Sequence, residues 1–372
     1  MSEDELQQPG FLEGPRYVMR VVIYRLGVDK VTDLAAAMAY YLLLSVFPLL
    51  LAMVSILSLV GGLNWLVPEM EQLVEDIAGA QVATMFASIV TGFLSSKGAG
   101  LALVVSLAAS LWSASAYIGA FARAVNTVYQ VSEGRNFFKL KAIQLLMTLA
   151  LVLLVILLVI ALVMSYPAAR WLGSLVGLSD QFAQVWSWLR FPLMGVAVVF
   201  LVQLLYFVAP NVRQPRVRFL SLGSLVAIVL ATGVFELFNV YLSVFNGASN
   251  YARTYGALAG IIIVLFMMFL INIALLIGAE LDAVMERLHQ LKLGLPAASG
   301  SLLPPRDGRG IRSRASTRKM LIARGKGIQA KALADGATVP EWYTAARLDS
   351  MRDESLEAVS ADPGPQISTT PK

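Results

Sequence analysis

The sequence predicts an all-α fold: a polytopic membrane bundle of six transmembrane helices with both termini in the cytoplasm. Three observations predict it. The chain is 58% hydrophobic and 14% charged, with a mean hydropathy of +0.71, whereas soluble domains are roughly 45–50% apolar and about 25% charged. Six stretches are apolar over the ~20 residues that a helix needs to cross a bilayer. The Lys and Arg residues gather beside one end of those stretches, as the positive-inside bias requires.

The six spans are expected at about Asp33–Val60, Gly100–Phe121, Ala142–Met164, Arg190–Ala209, Phe219–Phe245 and Ala257–Ala279. A further apolar run, Ala80–Leu94, is short and interrupted by Gln81, Thr84, Ser88 and Thr91. It suits the membrane interface or an extracytoplasmic hairpin better than a span. Arg16, Arg20, Arg25 and Lys30 precede the first span, and Arg123, Arg135, Lys139 and Lys141 separate the second from the third. Arg213, Arg216 and Arg218 separate the fourth from the fifth, and the tail carries the rest. Of 29 basic residues, only Lys97, Arg170, Arg190 and Arg253 fall on the opposite side. That distribution gives an N-in, C-in topology.

Residues 1–32 form the cytoplasmic N-terminal segment. Within it Tyr17, Val21, Tyr24 and Val28 recur at helical spacing, with Arg16, Arg20 and Arg25 elsewhere on the cylinder, which describes an amphipathic helix. Such a helix lies on the membrane surface or packs on the cytoplasmic loops. The first apolar run is too long for a signal-peptide core and is read as a retained span. Residues 33–285 form the transmembrane domain. Residues 286–372 are rich in Pro, Gly, Ser and charge and read as a basic, largely disordered tail, with a short helix expected over Pro340–Val359. From Arg306 to Lys331 nine Lys and Arg stand against one acid, Asp307. Such a run either binds anionic lipid or is a solvated tail; no nucleic-acid partner is expected.

Polar residues at membrane depth carry the functional information, because a charge there costs at least about 2.5 kcal/mol. Glu236 lies two-thirds along the fifth span, with Thr232, Asn239 and Ser243 on the same helical face. This stripe is expected to face an inward seam or aqueous cavity, as a cation, proton or substrate site or as a polar contact between helices. In the first span Tyr40, Ser45 and Pro48 follow a run of alanines. Small residues let helices approach, and Pro48 is expected to kink or break the helix and free a carbonyl. Ser113, after Trp112, can bond across helices. With no Cys and one His, His289, the chain excludes disulfides and multi-histidine metal centres. No cofactor, metal or catalytic constellation is expected, nor a nucleotide-binding P-loop.

The order Tyr40-Tyr41-Leu42-Leu43-Leu44-Ser45-Val46-Phe47-Pro48, then Leu111-Trp112-Ser113-Ala114-Ser115 and Asn126, then Pro210-Asn211, Tyr255-Gly256 and Gly278-Ala279-Glu280 resembles the YihY/BrkB family of bacterial inner-membrane proteins over about residues 15–290. The resemblance implies six helices in the inner membrane and a virulence-factor label without a defined biochemical activity. Trp112, Asn126, Pro210, Asn211, Tyr255, Gly256, Gly278 and Glu280 are the motif positions. Some members have carried a ribonuclease label, which a chain with one histidine does not support. Transport of a small solute, ion or lipid is the leading expectation, and a non-transporting scaffold or envelope-biogenesis factor the alternative. Membrane lipids are the expected partners, with self-association compatible with either.

Overall fold

The computed structural model describes residues 13–60, 99–163, 179–214, 221–244, 259–298, 300 and 302–338, with a few isolated positions between 68 and 88. Among these residues the chain is mostly helical and has no strand. We number the helices α1 (Glu13–Val28), α2 (Val31–Val60), α3 (Ala99–Val128), α4 (Phe137–Val163), α5 (Ser179–Val208), α6 (Leu222–Val244), α7 (Ala259–Lys292) and α8 (Arg309–Ala334). Among the described residues three segments are long and apolar enough to cross a membrane: Phe137–Ala161, Asp180–Val208 and Ile261–Lys292; Val31–Val46 and Leu222–Phe238 are shorter apolar helices. At ~1.5 Å per residue α4 measures roughly 40 Å, enough for a hydrocarbon core of about 30 Å.

The helices outrun the spans expected from hydropathy. The third begins at Phe137 rather than Ala142, the fourth at Ser179 rather than Arg190, and the sixth continues past Ala279 to Lys292. Helix continuation needs backbone hydrogen bonds, not lipid, so hydropathy does not register it. The ends are set by caps. Asn136 accepts a hydrogen bond from the Lys139 amide at 3.0 Å and opens α4. α3 closes at Gln130, whose φ of 56° is left-handed; Gln130 N donates to Thr127 O and Val131 N to Asn126 O, each at 2.9 Å. This is the paired C-terminal capping pattern, and it places Asn126 inside α3 rather than after it.

α2 packs on α3 and α7, α6 on α7, α3 on α4, and α1 on α7. The buried core joins Val31, Ala35 and Met38 of α2 to Ile118, Phe121 and Val125 of α3, Tyr206 of α5, and Leu276 and Ala279 of α7. The alanines let the backbones close together, as expected of membrane helices. The tightest crossing is glycine on glycine: a Cβ on Gly278 would lie 2.4 Å from Gly223 O, and one on Gly223 would lie 2.1 Å from Gly278 O. No side chain fits there, so α6 and α7 meet at backbone contact. α1 packs Val18 and Val22 against Val284 of α7, while Met19, Ile23 and Tyr24 stay exposed.

The chain divides into two compact units, residues 1–312 and 313–372. Within the first, described parts of the segment read from sequence as disordered tail are built into the bundle. α7 runs to Lys292, Val212 and Pro305 form an antiparallel bridge, and Leu303 and Asp307 are buried. The docking partners come from distant loops, so local composition misses them. In the second unit most of α8 is a helix with no buried residue. The helix expected over Pro340–Val359, and the tail beyond it, lie outside the described residues.

Candidate functional site

Inside the bundle a sparse set of polar groups lines the seam between α3 and α7. Tyr117 of α3 donates to Asn272 Oδ1 of α7 at 3.1 Å, and Asn272 Nδ2 donates to Met268 O at 2.8 Å. Asn272 is completely buried. Tyr206 of α5, stacked on Phe121 at 6.1 Å, donates to Leu275 O one turn further along α7. Each of these hydroxyl and amide groups is satisfied, as burial in a low dielectric requires.

Glu280 continues this face of α7 and breaks that rule. Its side chain is fully buried, and no protein donor among the described residues reaches either carboxylate oxygen. It borders a small cleft shared with Arg25, Gln130 and Arg287. Asp29 and Arg25, at the α1–α2 turn, are the charged groups that bear on it. Both nearby cations are engaged elsewhere. Arg25 Nε lies 3.4 Å from Asp29 Oδ2, and Arg287 donates to the carbonyls of Ala297, at 2.9 Å, and Ala298.

Around the ends of α3 and α5 the polar groups are instead saturated. Asn126 Oδ1 accepts from the Asn211 amide at 2.7 Å, and its Nδ2 donates to Glu133 at 3.2 Å. Asn211, fully buried, donates to Ser132 O and Asp307 O and accepts from the Asp307 amide at 3.0 Å. Arg135 pairs with Glu133 at 2.7 Å and donates to Ala209 O at 2.8 Å. Gly134 is obligatory, because a Cβ there would lie 1.8 Å from Asp307 O. Lys139 at 2.9 Å and Arg309 at 2.8 Å close on the Asp307 carboxylate. Hydrogen bonds from Arg309 and Lys139 hold that carboxyl well below its ordinary range. Burial alone would raise the Glu133 carboxyl, but the hydrogen bonds and charge of Arg135, with Asn126, outweigh it and lower it. Together these contacts form a polar knot that straps residues 304–310 onto the bundle.

The residues singled out from sequence therefore separate into three groups. Asn126, Pro210 and Asn211 meet in or beside the knot, and Gly278 and Glu280 sit on the packed face of α7. Ser45 is buried and donates to Tyr41 O at 2.7 Å and Ala114 O at 3.3 Å, tying α2 to α3. Pro48 lies inside α2, which continues to Val60, so of the expected kink or break the break does not occur. Trp112 lies half out of the bundle with Lys141 4.1 Å above its ring, and Ser113 and Tyr40 are exposed. Of the Glu236 stripe, the side chains of Asn239 and Ser243 lie outside the described residues, and Thr232 and Glu236 do not face an interior seam. Ala227 and Phe238 mark the buried side of α6, and Glu236 and Thr232 are exposed on another side, between Phe235 and Leu237. The Asn239 side chain, Tyr255 and Gly256 lie outside the described residues. Asn272, Tyr117 and Asp307 were not singled out from sequence; a lone Asn in an apolar helix, at position 272, was the one available signal.

Comparison with known proteins bears on the whole bundle. The family model described as Virulence factor BrkB matches residues 22–300. The chain is 30% identical over 257 residues to a Bacillus subtilis protein named as ribonuclease-like, YfkH, covering 69% of this chain and 90% of that one. It is 24% identical over 289 residues to a UPF0761 membrane protein of Mannheimia succiniciproducens, covering 75% and 93% of the two chains. A UPF0761 membrane protein of Vibrio vulnificus is 27% identical over 302 residues, covering 77% and 88%. No solved structure matches the chain.

Proposed function

The chain is a membrane protein of the virulence factor BrkB family, and from that premise we propose that it moves a small solute, an ion or a lipid across the bacterial inner membrane. In this reading six helices, α2 to α7, span the bilayer, with the termini, the polar knot and Glu280 at the cytoplasmic side. The split of basic residues supports that orientation. The route follows the α3–α7 seam past Tyr117 and Asn272 toward Glu280.

The observation that carries the reading is Glu280. A membrane scaffold gains nothing from a buried carboxylate without a donor, because such a group costs several kcal/mol unless it is neutralised or paired. A transport protein uses one, as a group that is neutral in one state and charged or occupied in another. The chain holds a single His, exposed at the end of α7, and among the described residues no three His, Asp or Glu side chains come together to hold a metal ion, so a metal-dependent nuclease reading finds no support there.

Reconstitution into proteoliposomes tests the proposal. Flux of an ion, solute or labelled lipid is expected for the unaltered protein, with a loss of tenfold or more in Glu280→Gln and Asn272→Leu. Variants that fold and carry flux unchanged would remove the seam from the mechanism.

A second reading has its own observation. Glu236 and Thr232 on an outward side of α6, and the basic α8, which has no buried residue, are surfaces for partners rather than for a route. They suit a scaffold or envelope-biogenesis factor that self-associates through α6 and rests α8 on anionic lipid. Disulfide trapping at Glu236→Cys reads that contact directly, since the natural chain has no cysteine.

A further inference from the structure

α1 has no place in a route through the spans, yet it packs on α7 beside Glu280, and Glu280 and Asp29 are the buried carboxylates among the described residues with oxygens that no donor reaches. Val18 and Val22 seat it on Val284 of α7, and Arg25, which borders the same cleft as Glu280, lies 3.4 Å from Asp29 in the turn after α1. Asp29 is itself nearly buried, with its side chain 8% exposed. Two carboxylates in one low-dielectric site cannot both stay ionised without cations to match them.

The cations in reach do not match them. The charged and titratable groups facing Glu280 among the described residues are Asp29 and Arg25 from the α1 side and Arg287 from α7; the end of α3 contributes only the neutral Gln130 and Val128. Arg25 is given to Asp29. Arg287 is given to the carbonyls of Ala297 and Ala298. With one carboxyl protonated, the site has the donor it otherwise lacks: an acid O–H between the two groups.

We propose that Glu280 and Asp29 form a buried acid pair that binds a single proton between them, and that α1 is released from α7 when the proton leaves. On release the proton passes to water at the cleft. Two carboxylates then face each other across the one guanidinium of Arg25. Their repulsion is relieved by moving the α1–α2 turn away from α7, which opens the cytoplasmic end of the seam. Proton binding stands independently of what the protein carries. Only its use as the coupling ion rests on the transport reading.

The test uses the full chain in lipid nanodiscs and two readouts that need no substrate. Infrared difference spectroscopy across a pH titration reads the carbonyl band of a protonated carboxyl. Spin labels at Met19→Cys and Lys292→Cys, in a chain with no natural cysteine, read the separation of α1 from the end of α7. The expected result is a protonated-carboxyl band at neutral pH that is lost in Glu280→Gln, with a label distance that lengthens as pH rises. In Glu280→Gln, which keeps the shape and cannot ionise, the distance stays short at every pH. Asp29→Asn is expected to keep the short distance too and to shift the pH at which the remaining carboxyl loses its proton. A missing band at neutral pH, or a band unchanged in Glu280→Gln, would overturn the proposal. So would a label distance set by sodium and indifferent to pH, which would make the site one for a metal cation. Flux enters neither readout, so an inactive but proton-binding protein would count against the transport reading alone.

Discussion

The side chain of Asn211 bonds Ser132 O and both backbone groups of Asp307 while fully buried. Asn211→Ala removes three partners at once and strands donors and acceptors inside the bundle. At about 1–3 kcal/mol per stranded group, the variant is expected to lower the thermal unfolding midpoint in detergent by several degrees. Asn211→Asp, which cannot donate through the lost amide, is expected to do much the same. Asp307 adds a pH dependence. Its folded carboxyl is held below its ordinary range, so its contribution is present above about pH 4 and is lost as pH falls toward its own lower value. A spin label at the exposed Leu302→Cys is expected to become mobile on acidification. Removing a donor with Lys139→Gln raises the carboxyl toward normal and should move that onset to higher pH. These positions were half legible in the sequence. Asn126 and Asn211 stand out within their motif, but Asp307 lies in a basic run and its long-range partners are Lys139 and Asn211. Glu236 shows the converse limit: periodicity reveals that one side of a helix is polar, not which neighbour that side meets.

At the scale of elements, hydropathy reads the apolar middles of the helices and misses their ends. α7 illustrates it. Its apolar stretch ends near Ala279, yet the helix continues to a left-handed cap at Gly294 (φ 76°). That extension carries Glu280, the Val284 contact with α1, and Arg287. α8 differs in kind, because none of its residues is buried: it carries eight Lys and Arg and no acid among Arg309–Ala334. A helix of that charge is drawn to anionic headgroups at about 1 kcal/mol per cation wherever it nears a membrane surface. An environment-sensitive fluorophore at Ser316→Cys is expected to report an apolar shift in nanodiscs with anionic lipid and none in zwitterionic ones. Charge reversal at Arg314, Arg318 and Lys319 or high salt should abolish the shift, the latter through screening. Equal signals in both lipids would leave α8 a solvated arm.

Across the whole molecule, the family and the helical membrane character agree with what composition and motif order imply. The six spans and their orientation remain the frame on which the functional reading depends. If both ends are cytoplasmic, the polar knot, the Glu280 cleft and the basic helix share one compartment, and proton release from the acid pair is to the cytoplasm. Topology is therefore the most direct measurement. Single cysteines, introduced at Ser132, Gln214 and Ser316 and at Ser95, Ser174 and Ser249 of the cysteine-free chain, can be labelled in intact cells by a membrane-impermeant maleimide. The account predicts labelling at Ser95, Ser174 and Ser249 from outside, and at Ser132, Gln214 and Ser316 only after the membrane is opened. Labelling of Ser132 or Ser316 in intact cells would contradict it, and would place the carboxyl pair and its proton on the opposite side of the membrane.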